Sequence, residues 1–301
     1  MSNIAVIGGI NHDIVIRVPR IPERGETIHR GQIAHYSGGK GANQAVAAAR
    51  SGSVVSMIGA VGADNPGRDL LASLNVHSIN THHVVQTEAS TTGTAFITVD
   101  SKGLNTIAVA EGANHLLEPS SVQAAIAELS PEAILCQREV PDAAIHAGLE
   151  HVPSGTLRIL NASPADPLSP TIMEHVDIMI VNEIEAAQIL GKTLDPIAAA
   201  VEIAKAVERG CVVTLGEAGL AASIDNDELI QPAFTTDVID TTGAGDAFCG
   251  AFASALLKGK GSVDALSWAQ AAGALASTRH GAQPSMPSSE EIQTLADSIN
   301  V

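Results

Sequence analysis

From residue 120 onward the chain alternates helical patterns with short apolar runs, and this limits the possible fold more than any other feature. Helices are predicted at 120–129, 141–150, 183–190 and 196–208, and strands at 133–136, 157–161, 176–181 and 211–215. The alternation predicts an α/β domain, with a parallel sheet covered by helices on both faces. Short strands at 219–224 and 228–231 follow, and helices at 262–278 and 288–298 close the chain. Upstream, 3–8 and 54–59 read as strands and 66–74 as a helix. Hydrophobic residues make up 45% of the 301 but aromatics only 2%, so the core must be aliphatic. A bound adenine is therefore expected among aliphatic side chains and backbone, not on a stacked ring.

The segments 14–18 and 28–34 alternate apolar with polar residues and are joined through Pro22 and Gly25. A hairpin is expected from 92–99 and 104–109 around Asp100-Ser101-Lys102-Gly103. Together they predict a small exposed sheet beside a single 1–301 domain, inserted at about 12–36 and 92–110.

Ligands of a parallel sheet sit beyond the carboxyl ends of its strands. Asn11 and Asp13 follow the first strand, Glu139 follows 133–136, and Asn182 and Glu185 follow 176–181. Thr214 and Glu217 lie around the end of 211–215. Each alone reads equally well as a surface or capping residue. Their collection at one edge is what points to a site. On an extended segment Asn11 and Asp13 share a face, and His12 points the other way.

The stretch Asp240-Thr241-Thr242-Gly243-Ala244-Gly245-Asp246-Ala247-Phe248 carries the sharpest chemical signal. It follows a strand-like run at 233–239 and leads into a helical pattern at 247–257. Its glycines permit a tight turn, and a helix start presents unpaired N–H groups to an anion. An aspartate there repels a phosphate, so Asp246 makes chemical sense as a base that removes a proton from an attacking hydroxyl. The alternative is a helix cap. A second glycine-rich helix start, Ser37-Gly38-Gly39-Lys40-Gly41-Ala42-Asn43, fails the Walker pattern, because Ala34 and Gly41 replace its glycine and hydroxyl residue. Lys40 and Asn43 read as polar fingers, or as a solvated helix start.

The formal charge is −17 with no basic run, which argues against nucleic acid. No apolar stretch is long enough for a membrane span, and the apolar part of 262–278 holds Gln270 and ends at Arg279. No leader is expected from residues 1–10. Cys136, Cys211 and Cys249 are scattered, which fits a reducing cytoplasm and neither a disulfide framework nor a zinc site.

Gly38-Gly39-Lys40-Gly41-Ala42-Asn43-Gln44-Ala45-Val46-Ala47 and the Asp240–Phe248 stretch, in that order, resemble the two signatures of the ribokinase/PfkB family of sugar kinases. The resemblance extends to Gly25-Glu26-Thr27, Gly112-Ala113-Asn114, Asn182-Glu183-Ile184-Glu185 and Gly281-Ala282-Gln283-Pro284-Ser285. It implies a ribokinase-like α/β sandwich with a β-sheet lid, a homodimer contact through that lid, and transfer of the ATP γ-phosphoryl to a sugar hydroxymethyl. Asp246 matches the base, with Gly243, Ala244 and Gly245 as its anion hole. Asn11, Asp13, Gly39, Lys40, Asn43 and Glu139 match the sugar contacts. Asn182, Thr214, Gly216, Glu217, Gly219, Gly245 and Gln270 match nucleotide contacts. Asn182 and Glu185 match a magnesium motif acting through water, and Asp240, Thr242, Ala276, Arg279, Gly281 and Ser285 a site for a monovalent cation, potassium.

The polar density of the proposed sugar set favours a free pentose, D-ribose foremost. Deoxyribose, a hexose or a nucleoside are alternatives on the same fold. His12 and Arg138 depart from the family's pattern beside two sugar contacts, and Arg138 is expected to pair with a carboxylate of the protein, with an acidic group on an unusual sugar as the alternative. A non-catalytic sugar-binding protein conflicts with the intact Asp246. A dehydrogenase conflicts with Gly8-Gly9-Ile10-Asn11, which is not GxGxxG.

Overall fold

A computed structural model describes residues 3–165 and 169–298. The amino-terminal third runs β1 (Asn3–Ile7), β2 (Asn11–Arg17), β3 (Gln32–Gly38), α1 (Lys40–Arg50), β4 (Val54–Gly62), α2 (Asn65–Val76), β5 (Val84–Thr87), β6 (Gly93–Val99) and β7 (Asn105–Ala110). The alternating stretch follows as α3 (Pro119–Leu129), β8 (Ala133–Gln137), α4 (Asp142–Glu150), β9 (Leu157–Asn161), α5 (Pro170–Met173), β10 (Ile178–Asn182), α6 (Glu183–Leu190), α7 (Pro196–Ala204) and β11 (Gly210–Thr214). The chain then continues through β12 (Leu220–Ile224), β13 (Asp227–Gln231), α8 (Ala244–Leu257), α9 (Ser262–Ser277) and α10 (Ser289–Asp297).

Nine strands form one sheet in the order β13-β12-β11-β10-β9-β8-β1-β4-β5. It is parallel from β11 to β5, and β12 and β13 are antiparallel additions at one edge. Successive side chains of a strand point to opposite faces. Ile4 and Val6 of β1 therefore join one core layer, and Ala5 and Ile7 the other. Leu135 and Cys136 of β8 divide the same way, which is why these strands are apolar throughout from Ile4 to Ile7 and from Ala133 to Cys136.

The smaller sheet has the order β3-β2-β6-β7. It pairs β2 with β6 in parallel and the other neighbours antiparallel. Only Gly8-Gly9-Ile10 separates β2 from β1, so the small sheet rises directly from the carboxyl edge of the large one. Several details differ from the sequence reading, among them the first lid strand, which is 11–17 and not 14–18, and the unforeseen short α5. The second lid strand is 32–38, not 28–34, because pairing of Asn11 with Gly38 sets its register. The short β5 was not foreseen, and α7 stops at Ala204. The run 233–239 is not a strand: it is mostly exposed coil, attached where the Ile239 and Asp240 amides donate to the Ser277 carbonyl. Its apolar residues find no neighbouring strand, since β13 already forms the sheet edge.

Candidate active site

The site starts from two backbone turns in contact. Gly39 caps α1 at φ +89°, and a Cβ there would lie 2.6 Å from the Gly9 carbonyl oxygen and 2.7 Å from the Asn11 nitrogen. Only glycine suits both the angle and the gap. This contact sets Lys40, at the start of α1, beside the first residues of β2. Helix α8 closes on α1 through Gly250, where a Cβ would lie 2.5 Å from the Gln44 carbonyl oxygen. Asp246, one turn earlier on α8, thereby faces the side chains of α1.

Asp246 is 8% exposed. Asn43 Nδ2 donates to its Oδ2 at 2.9 Å, and Gln44 Nε2 donates to its Oδ1 at 3.0 Å. Burial pushes its carboxyl above the ordinary range, against the pull of Lys40 and the two amides. Glu139 follows β8, and its Oε2 accepts from the Lys40 amide at 2.8 Å and from Asn11 Nδ2 at 3.5 Å. Burial lifts Glu139 to about 7, with Lys40 opposing and Asp246 adding to the rise. Asp13 is likewise pushed up to about 7 by burial, Glu139 and Asp246. Burial works against the Lys40 ammonium, but Asp246, Glu139 and Glu185 outweigh it and hold its pKa above the ordinary value. Asp13, Glu139 and Asp246 thus crowd one another, and they cannot all ionise without strain. Such a set can bind several hydroxyls, donate from Lys40 and Asn43, and accept a proton.

All six expected sugar contacts, Asn11, Asp13, Gly39, Lys40, Asn43 and Glu139, come together here. His12 lies on the other side of β2, stacked on His35 with Nε2 2.9 Å from His35 Nδ1. Arg138 holds Asp142, its Nη2 2.8 Å from Oδ2, so a protein carboxylate partners it as expected.

Residues 243–246 start α8, with Gly243 at φ +79°. Among the described residues the amides of Gly243, Gly245 and Asp246 make no backbone hydrogen bond, whereas Ala244 donates to the Thr241 carbonyl at 3.2 Å. The open amides suit an anion; that of Ala244 is already engaged.

Along the edge, Asn182 caps α6 in a reciprocal pair with Glu185, each side-chain oxygen accepting the other's backbone amide at 2.8 Å. Glu185 is buried with its Oε2 occupied, and its charge is felt at Lys40 and Asp246. On the adjacent strand, Thr214 Oγ1 donates to the Val181 carbonyl at 3.3 Å. Gly216 and Glu217 are exposed in the turn after β11. Gly219, at φ +103°, packs so closely on β13 that a Cβ would lie 2.0 Å from the Gln231 carbonyl oxygen. Gln270 Nε2 donates to that same carbonyl at 3.2 Å, so Gln270 braces the turn region from α9.

Asp240 joins two loops. Its Oδ1 accepts from the Thr242 amide at 2.9 Å and its Oδ2 from the Gly281 amide at 3.0 Å. Burial would raise its carboxyl, but these bonds win and hold it below the ordinary range. Ala276 and Ser285 are fully buried, and Ser285 Oγ donates to the Ala282 carbonyl at 2.7 Å. The Arg279 guanidinium turns away to Glu291, which leaves its backbone as the part available to a cation.

Three buried amides escaped the sequence reading. Asn161 ends β9, between the strands that carry the two halves of the site, and the strand-end rule could have found it. Gln44 lies inside the first signature, and Asn114 inside Gly112-Ala113-Asn114. Asn114 pins the start of the lid: its Oδ1 accepts from the Ile10 amide at 3.0 Å, and its Nδ2 donates to Asn11 Oδ1 at 2.7 Å.

The description "pfkB family carbohydrate kinase" matches residues 1–289. The ribokinase of Bacillus subtilis is 35% identical over 297 residues, covering 98% of this chain and 99% of that one. The solved ribokinase of Thermotoga maritima superposes with a TM-score of 0.91 at 30% identity, over 98% of this chain and 99% of that chain. The ribokinase of Arabidopsis thaliana, solved in complex with ribose and ATP, gives 0.87 at 29% identity, over 98% and 99%. Coverage is nearly complete in both directions, and the chain belongs to the pfkB family of carbohydrate kinases.

Proposed function

We propose that the chain transfers the γ-phosphoryl group of ATP to the terminal hydroxymethyl of D-ribose, giving ribose 5-phosphate. The observation that carries this is the convergence of Asn11, Asp13, Lys40, Asn43 and Glu139 on Asp246. A site that bonds each hydroxyl of a small polyol rejects analogues lacking one, because buried groups are then left unpaired. A nucleoside needs an apolar or aromatic face, and Tyr36 is the one Phe, Tyr or Trp close in sequence to Asn11, Asp13, Lys40, Asn43 or Glu139. Family membership sets aside the dehydrogenase alternative. An ADP-release assay comparing kcat/KM for D-ribose, 2-deoxy-D-ribose, fructose and adenosine tests the assignment. D-ribose should lead. Preference for adenosine, or no turnover with any pentose, would overturn it.

In this reading Asp246 accepts the hydroxyl proton, and the free amides of Gly243 and Gly245 stabilise charge on the transferring group. Lys40 holds the sugar against them, and the lid excludes water and suppresses ATP hydrolysis. Thr214, Gly216, Glu217, Gly219 and Gln270 line the nucleotide side. Asn182 and Glu185 would hold magnesium through water. When bound, magnesium supplies charge neutralisation to the phosphates.

A monovalent cation fits the half-buried Asp240 carboxylate together with backbone carbonyls of the 276–285 segment and Thr242. It would brace the loop that presents Gly243. Potassium is therefore expected to raise kcat over potassium-free buffer at constant ionic strength, with little change in ribose affinity. A flat activity curve would refute this.

The lid leaves Ile107 and Val109 exposed at 57% and 52% on one of its faces. A second copy of the chain, packing lid on lid, would cover them. Light scattering should give a dimer mass that falls toward monomer in Ile107→Asp; a monomeric parent would sink the idea. Three unpaired, buried cysteines fit a reducing cytoplasm, and no helix among the described residues is long and apolar enough to cross a membrane.

A further inference from the structure

Gln44 is fully buried on α1 and has no place in the sugar or nucleotide sets described above. Its Nε2 donates to Asp246 Oδ1 at 3.0 Å and to Asn161 Oδ1 at 3.0 Å. Both of its side-chain hydrogens are therefore used. Its Oε1 is buried without a partner. A buried, orphaned acceptor is unfavourable, so something must hold the amide in this orientation.

The far end of the network supplies the reason. Asn161 Nδ2 donates to the Ile180 carbonyl of β10 at 3.1 Å. A backbone carbonyl can only accept. Asn161 must present its NH2 group to Ile180 and hence its Oδ1 to Gln44. Gln44 must then present its own NH2 group to both neighbours. The direction of every bond is set at the strand and ends at Asp246 Oδ1, which is required to accept. A proton in the lone-pair direction that Gln44 fills would meet an N–H head-on, and the fixed chain of bonds does not let Gln44 turn its amide over to accept it.

We propose that Gln44 is a positioning residue for phosphoryl transfer, which locks the rotation of the Asp246 carboxylate and reserves Oδ1 as an acceptor so that the hydroxyl proton goes to Oδ2. This rests on the reading of Asp246 as the base. Asn43, the donor to Oδ2, is anchored differently: its Oδ1 has no partner, and no second strand residue fixes its direction. The two amides therefore divide the work, one fixing the carboxylate from behind and the other sharing the reacting oxygen.

The charged and titratable groups that bear on Asp246 are Lys40 of α1, Asp13 of β2, Glu139 after β8, Glu185 of α6 and Cys249 of α8. A change at Gln44 leaves all of them in place. The test is the pH profile of kcat at saturating ribose and ATP, in which the acid limb reports the complex. Gln44→Met keeps the length and removes the donor. A lost hydrogen bond to a charged acceptor should move the acid limb up by about 1 pH unit. Turnover should then recover at high pH, with KM for ribose changing less than kcat. Rescue by Gln44→Asn should be absent, since the shorter side chain cannot span both acceptors. Asn161→Ser frees the far end, and should move the same limb in the same direction by less. It keeps the test available if Gln44→Met does not fold. A uniform loss of kcat at every pH, or an unmoved limb in either folded variant, would overturn the role of Gln44. Asp246→Asn run alongside separates the two failures: full turnover there sinks the base itself, whereas a dead Asp246→Asn with an unmoved Gln44→Met limb sinks the positioning role alone.

Discussion

Asp246→Asn is expected to bind ribose and ATP but to lose at least ~100-fold in kcat, the lower end of what a general base contributes. The substitution keeps the side-chain shape and removes its ability to take a proton. It also sets an NH2 group against one of the two donors, Asn43 Nδ2 or Gln44 Nε2, so one hydrogen bond is lost. Relief of a buried charge works the other way, because burial already disfavours the ionised form. The two effects oppose each other, so the thermal midpoint should stay close to that of the parent. Single-turnover rates, ribose affinity and thermal midpoint together decide the matter. Unchanged turnover would remove Asp246 from the chemistry.

The fold was legible wherever a local pattern matched the tertiary environment. Strands such as β8 and β10 announce themselves because burial on both faces requires consecutive apolar residues, four in each before a polar residue at the carboxyl end. The same signal misleads at 233–239, where apolar residues such as Val238 and Ile239 remain exposed. No local rule reveals that a run lacks a neighbour to pair with. The second lid strand was misplaced for a related reason. Tyr36, Ser37 and Gly38 read as the approach to a glycine-rich helix, yet they belong to β3 because β2 pairs with them.

The candidate site was legible where glycines and charges coincide. Gly39 and Gly243 mark turns at positive φ, and each precedes a helix that delivers Lys40 or Asp246. The buried amides were not legible. Gln44 and Asn161 are 117 positions apart, and neither is unusual where it stands in sequence. Their importance appears only when β9 and α1 bring them together under Asp246. The partner of Arg138 could be anticipated, because Asp142 lies four residues on at the start of α4 and a buried guanidinium needs a carboxylate.

Asp13→Asn should move activity and stability in opposite directions. Asp13 is pushed up to about 7 by burial, Glu139 and Asp246. In the unfolded chain it titrates near its ordinary value, about 4. Below that value both states hold the proton, and pH has no effect through this group. As pH rises toward about 7 the unfolded chain has released the proton while the folded one retains it, so the folded state binds more protons and stability falls. Above about 7 the full penalty of a buried, crowded charge is present. Asparagine carries no such penalty. The variant should therefore melt higher than the parent at pH 8, and the difference should vanish toward pH 4. Catalysis should suffer, because the proposed charge-assisted hydrogen bond that Asp13 accepts from a sugar hydroxyl would be weakened; a contribution of about 1.5–3 kcal/mol corresponds to a loss of roughly 10–150-fold in kcat/KM. Melting curves from pH 4 to 8 and kcat/KM at pH 8 measure both sides. Parallel melting curves for parent and variant would mean that Asp13 is not strained in the folded protein, and its crowding with Glu139 and Asp246 would lose its energetic meaning. Diverging curves with lost activity would identify the site as a place where the fold keeps charges together for the sake of the sugar.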